Sequence, residues 1–208
     1  MVTLPRLPGI DRLTVAELQE LVRVADRLGV SPRELAVVIY YESSFRTAVR
    51  NPSGATGLLQ WTDRSAAELG TTTDAIARMS ATEQLQLAER SLSKYAPKLQ
   101  VVGDLYIANF MPSRGLGHPD DTVLAREGSD VYERNKGLDL DHDGAITNRD
   151  LRARVLNALA SYPMTVDVPD SSEPAPVPGS AAAAAQFQGS VVFLGILGVL
   201  YLTWRISR

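Results

Sequence analysis

At Thr14, Ser31 and Ser80 a hydroxyl residue stands three positions ahead of a glutamate and directly before apolar residues at helical spacing. In that arrangement the hydroxyl can accept from the third helical N–H while the glutamate reaches back to the cap, so the pattern marks helix starts. Thr14 and Glu17 precede Leu18, Leu21, Val22, Ala25 and Leu28, one face of a helix that Gly29 ends. Ser31 and Glu34 open a second helix, with Pro32 at the first helical position, where its missing N–H costs nothing. Ser80 and Glu83 open a third, which runs through Leu87 towards Tyr95 and stops before Pro97. Short helices are expected over Asp63 to Leu69 and Asp74 to Met79. Helix starts, not strand alternation, punctuate the chain, and the fold class expected is all-α.

The 208 residues, 45% hydrophobic, suffice for one ordinary core with appendages. A net charge of -3 supplies no basic field of the kind that draws a protein to nucleic acid, so none is expected as a partner. There is no cysteine for disulfide or thiolate chemistry, and the two histidines, His118 and His142, are too isolated for a histidine metal site. Composition divides the chain into a helical domain over 1–162, a Pro/Ala-rich linker over 163–184 and an apolar tail over 185–208. Pro163, Pro169, Pro174, Pro176 and Pro178 favour extended polyproline structure in the linker.

In the second helix Leu35, Val38, Ile39 and Glu42 fall at i, i+3, i+4 and i+7, so a carboxylate continues an aliphatic stripe. Glu42 also lies near the helix's carboxyl end, where the negative end of the macrodipole and desolvation both favour the neutral acid. A raised pKa is what a general acid needs in order to protonate a glycosidic oxygen near neutral pH. Position alone fits equally the edge of a solvated face or half of a structural ion pair. Downstream, the turn formers Asn51, Pro52, Ser53, Gly54 and Gly57 bring a second segment back past the acid.

The run YYESSFRTAVRNPSGATGLLQW resembles the lytic transglycosylases of the lysozyme superfamily. The resemblance rests on the Glu-Ser pair, Glu42 and Ser43 with Phe45 following, and on the Gly-Leu-hydrophobic-Gln motif, Gly57 to Gln60. It implies a lysozyme-like helical domain with Glu42 as catalytic acid and base, and Ser43, Gln60 and Tyr106 as substrate-binding residues. Ser65 to Tyr95, Asp104 to Phe110 and GLDLDHDGAIT look like the version found in bacteriophage cell-wall-degrading proteins, so the likeness spans roughly residues 14 to 160. Two departures stand out. Thr62 and Asp63 replace the family's Met-Pro, and the Ala-Tyr-Asn-x-Gly motif has no clean counterpart, Tyr106 being nearest and Asn109 off register. The implied reaction cleaves the bond between N-acetylmuramic acid and N-acetylglucosamine in peptidoglycan glycan strands and closes a 1,6-anhydro ring on the muramyl residue. Ordinary glycosidases use two carboxylates, and substrate-assisted enzymes are the exception. Asp63, Glu68, Asp74 and Asp104 are candidates for a second carboxylate, and spacing singles out none of them.

From Asp139 the chain reads DLDHDGAITNRD. This EF-hand-like loop, 139–150, sets Asp139, Asp141, Asp143, Ala145 through its carbonyl, Thr147 and Asp150 around one hard cation, with Gly144 at the sharp turn. Calcium is the expected structural ion. Aspartate at the last position, in place of the usual bidentate glutamate, keeps magnesium as an alternative. No cofactor is expected for catalysis itself.

Gly189 to Trp204 is almost wholly apolar, and its 16 residues span roughly 24 Å as a helix, against a hydrocarbon core of ~30 Å. Tyr201, Trp204, Arg205 and Arg208 fit an interfacial belt and a positive flank. A transmembrane anchor over 185–208 is therefore expected. The amino terminus lacks a secretory pattern. The combined expectation is a virion-associated transglycosylase, held in a virion membrane or ejected into the host envelope beside other ejection proteins, that opens the wall locally during phage genome delivery. The alternatives are a cellular or lysis-stage hydrolase, and a calcium-dependent glycan-binding structural membrane protein without turnover.

Overall fold

In the computed structural model residues 1–170 are described. The chain begins with strand β1, Val2–Pro5, and helices α1, Val15–Leu28, and α2, Pro32–Ser43. After an irregular loop come α3, Asp63–Glu68, α4, Thr73–Ile76, and α5, Ala81–Leu92, which a 3-10 turn extends over Ser93–Lys98. Then follow α6, Asp104–Phe110, α7, Pro112–Gly115, strand β2, Val123–Arg126, and α8, Asp130–Asn135. Strand β3, Ala145–Thr147, leads into α9, Asn148–Ser161, and the described chain closes with β4, Thr165–Val168.

The local signals explain where α1 and α5 begin. Both show complete capping boxes, with Thr14 and Ser80 accepting from the backbone of Glu17 and Glu83, and Gly29 ends α1 in the left-handed region at φ 70°. α2 starts differently. Pro32 occupies its first turn, but the Ser31 side chain makes no cap hydrogen bond, because Glu34 is buried and turned to another helix. Thr62 with Ser65 and Thr147 with Asp150 form further boxes at α3 and α9.

The centre of the core is α2. Residues Leu35 to Ile39 are all at 0% exposure, so the helix is covered all round and the stripe ending at Glu42 is one line on a buried cylinder. α1, α6, α9 and β1 pack around it.

The all-α expectation is corrected by two small ribbons. β1 pairs antiparallel with β4, from Val2 opposite Val168 to Pro5 opposite Thr165, and β2 pairs antiparallel with β3. Strands of three or four residues are too short to display alternation, and β1 meets a partner at the far end of the domain. The boundary at 162 is corrected for the same reason: β4 lies in the segment read as linker, where Pro163 and Pro169 bracket a strand. Among the described residues no helix is long and apolar enough to cross a membrane. The expected anchor, 185–208, and the linker from 171 onward lie outside them.

Val168 is 2% exposed. Burying a valine contributes about 2 kcal/mol, so a chain cut after Tyr162 should melt roughly 4–8 °C below one cut after Asp170. Circular dichroism melts of the two pieces measure the difference.

Candidate active site

Glu42 sits in the last turn of α2, and the backbone just past it is forced into an unusual path. Ser44 and Phe45 both take left-handed conformations, φ 50° and 61°, although neither is glycine. Such residues cost of order 1–3 kcal/mol each and persist where the surroundings over-determine them. The Phe45 ring, 1% exposed, offsets this by burial.

The returning loop is held from within and from behind. Asn51 Oδ1 accepts from the backbone of Ser53 and Ala55, and Thr56 bridges both Arg50 and Trp61. Gly57 has φ 84°, and a Cβ there would lie 2.6 Å from Gln84 Oε1, so both conformation and space require glycine. Gln84, fully buried on α5, accepts from Leu58 N at 2.8 Å and donates to the carbonyls of Thr47 and Ile76, each at 2.8 Å. This latch fixes the loop that presents Gln60. Gln60 itself is left-handed, φ 54°, and its amide donates to Gly57 O at 2.9 Å.

α6 supplies the opposite wall. Its start is clamped by Glu34 of α2, whose Oε1 accepts from Gly103 N at 2.8 Å and Leu105 N at 3.3 Å. One turn further, Tyr106 and Asn109 project from α6 at i and i+3 and act on the Glu42 carboxyl. Burial pushes that carboxyl up to about 7, while Tyr106, Arg154 and Asn109 pull it back towards the charged form. Burial beside Glu42 raises the Tyr106 hydroxyl, which therefore stays protonated and available as a donor. The Tyr106 ring is parallel to Tyr41 with centroids 6.3 Å apart, and the Arg154 guanidinium lies 4.0 Å from the Tyr41 ring centroid.

Asn109 also lines a cavity of about 460 Å³ together with Gln60, Trp61, Lys94, Tyr95 and Phe110. Asn109 thus stands both beside the acid and at a cavity walled by Trp61, Tyr95 and Phe110. Ser43 does not join it. Buried at 2% exposure, its hydroxyl donates to Ile39 O at 3.1 Å and finishes α2. The four second-carboxylate candidates are engaged elsewhere. Asp63 accepts from Thr73, Glu68 pairs with Arg64, Asp74 with Arg50, and Asp104 with Arg152. None of them acts on Glu42.

Carboxylate oxygens of Asp139, Asp141 and Asp143 lie within 4.8 Å of one another, and Gly144 turns at φ 84°. Asp139 accepts from Tyr132 Oη at 2.7 Å and from the backbone of Asp143 and Gly144, and these bonds, the tyrosine's first, hold its carboxyl below the usual range. Asp150 is outside that trio. Its two oxygens accept from Leu140 N and Thr147 N, so it works as the capping partner of α9. Ala145 and Thr147 lie in β3. Three clustered carboxylates on a glycine turn suit a hard cation.

Asn109, Arg154, Tyr41, Glu34 and Gln84 were not found from sequence as parts of this site. Asn109 had a signal, since it stands one helical turn from Tyr106. The others act across tertiary contacts that no local pattern announces.

Residues 22–99 match the family described as the Transglycosylase SLT domain. That segment runs from within α1 to the 3-10 turn after α5 and contains Glu42, Gln60 and Gln84, whereas Tyr106, Asn109 and Arg154 lie beyond it. Over that stretch, less than half of its length, the chain is similar to a transglycosylase domain. No curated protein matches the chain.

Glu42 binds its proton more tightly folded than unfolded, so the stability it lends is complete below pH about 4.5 and is lost as pH rises through about 7. Glu42→Gln removes that dependence. The variant should melt above wild type at roughly pH 8, with the gap closing towards roughly pH 4, as calorimetry across the range would measure.

Proposed function

We propose that this protein is a peptidoglycan lytic transglycosylase with Glu42 as its single acid and base. The observation that carries the reading is one partly buried carboxyl, pushed up to about 7, with a phenol, an amide and a guanidinium around it and, among the described residues, no second carboxylate acting on it. Protonated Glu42 donates to the oxygen between N-acetylmuramic acid and N-acetylglucosamine, and the muramyl C1–O bond breaks. The substrate's own N-acetyl oxygen closes on C1 and carries the positive charge. Carboxylate Glu42 then takes the proton of the muramyl 6-hydroxyl, whose oxygen displaces the acetamido group. Water is not consumed, and Glu42 ends as it began. Tyr106 and Asn109 hold the carboxyl in place, and Gln60 with the aromatic wall holds sugar.

Asp139, Asp141 and Asp143, with the Ala145 carbonyl, Thr147 and Asp150, are proposed to hold calcium, or magnesium as the smaller alternative, as a structural ion. What supports this is the spacing, the clustered oxygens and the glycine turn. The ion would stabilise the start of α9 and supply no catalytic chemistry. For the chain as a whole the proposal is a phage virion-associated enzyme held to a membrane through 185–208. The apolar composition of that stretch and the phage-like run from Ser65 to Tyr95 support it.

Purified sacculi treated with the enzyme should release muropeptides ending in 1,6-anhydro-muramic acid, read by mass spectrometry. Reducing muramic ends would point to hydrolysis instead. Glu42→Gln should lower the rate by about 10⁴ or more, since a positioned acid or base is typically worth about 10² to 10⁴ and both roles are lost together. Calcium at millimolar concentration should raise the melting temperature relative to chelator, by mass action on the folded state. Identical melts would reduce the loop to an acidic turn.

A further inference from the structure

Two of the three arginines of α9, Arg152 and Arg154, stand two residues apart, and about 200° of helical rotation sends them to different surroundings. Arg152 is spent on carboxylates, pairing with Asp104 at 2.7 Å and with Asp120. Arg154 meets no carboxylate within ion-pair distance among the described residues. Its Nη1 donates to Gly137 O at 3.1 Å, its guanidinium lies over the Tyr41 ring, and the Tyr41 hydroxyl donates back to the Arg154 carbonyl at 3.3 Å. The Nε is buried without a partner. The side chain is therefore held from both ends while its charge is left uncompensated, beside the Tyr41–Tyr106 stack that abuts the acid.

Resting on the transglycosylase reading, we propose that Arg154 is a positioning residue of the acid–base cycle, a fixed cation that steadies Glu42 in its charged form between giving up a proton and recovering one. Proton donation leaves a carboxylate in a desolvated place, where burial alone would hold the proton too tightly to release it. The neighbours that face Glu42 are few. α6 contributes the neutral donors Tyr106 and Asn109, α2 contributes Tyr41, and β1 has no ionisable side chain. The buried carboxylate of α1, Glu20, is taken by Arg23 and Arg27. Among the described residues Arg154 of α9 is the one charged group acting on the acid. Its position outside residues 22–99 means the working site extends beyond the segment that matches the transglycosylase family.

The test uses the full chain with Arg154→Met, which keeps length and packing over Tyr41 but removes charge, and Arg154→Lys, which restores charge. Arg154→Gln, which retains a donor for Gly137, replaces the methionine variant if that one does not fold. Two readouts are taken: kcat/KM against pH on sacculi, and direct titration of the Glu42 carboxyl by carbon NMR. Losing a nearby positive charge disfavours the carboxylate, so the neutral variants should titrate higher by roughly one unit, with the alkaline limb moving up equally and kcat falling about tenfold. Lysine should bring both back. An unmoved titration and limb, whatever the loss of rate or melting temperature, would overturn the proposal and leave Arg154 as packing for Tyr41. The NMR titration does not depend on the products, so it stands apart from the test of the reaction itself: absence of anhydro ends in wild type counts against the transglycosylase reading alone.

Discussion

One carboxylate oxygen, Oε1 of Glu34, joins the central helix to the helix that faces the acid. It accepts two backbone N–H groups at the start of α6, Gly103 and Leu105, and it does so inside the core at 4% exposure. A helix start has unsatisfied donors that must find partners when buried, and here the partner comes from another helix. Eight residues along α2 from Glu34, about 12 Å at 1.5 Å per residue, stands Glu42. The same two helices therefore meet twice, once through Glu34 and once through Glu42, on which Tyr106 and Asn109 of α6 act. Burial raises the pKa of both, but two backbone donors answer Glu34, while Glu42 faces side chains that leave room for a substrate.

How far the sequence foretold this depends on how local each interaction is. Thr14 with Glu17 and Ser80 with Glu83 were legible because both partners lie within four residues and the bonds they form are the helix start itself. Ser31 and Glu34 carry the same spacing and do something else, since a buried partner 69 residues away outbids the local one for the glutamate. Glu42 was legible because its helix phase and the returning glycine loop are both local. Arg154 and Gln84 were not, for each acts through contacts made only when distant helices dock. The β1 and β4 strands escaped for a simpler reason: four residues do not make a period.

The loop from Asp139 shows the opposite balance. Its spacing was fully legible and the three leading aspartates do converge. Asp150, which stands outside that trio, is the capping-box partner of Thr147. α9, which starts there, delivers Arg152 to Asp104 and Arg154 to the neighbourhood of Glu42. The acidic loop thus leads into the helix that packs against the one carrying the acid.

Three non-glycine residues around the acid, Ser44, Phe45 and Gln60, hold left-handed backbone. Selection for heat tolerance alone would drift these positions towards glycine or asparagine, which adopt that conformation at lower cost. Each such drift would also widen the range of backbone paths open to the segments that fix Glu42 and Gln60. In a lineage of such proteins, gains in thermal tolerance and precision around Glu42 and Gln60 therefore pull against each other at these three positions, whereas replacements on the exposed faces of α1 and α5 are free of the conflict.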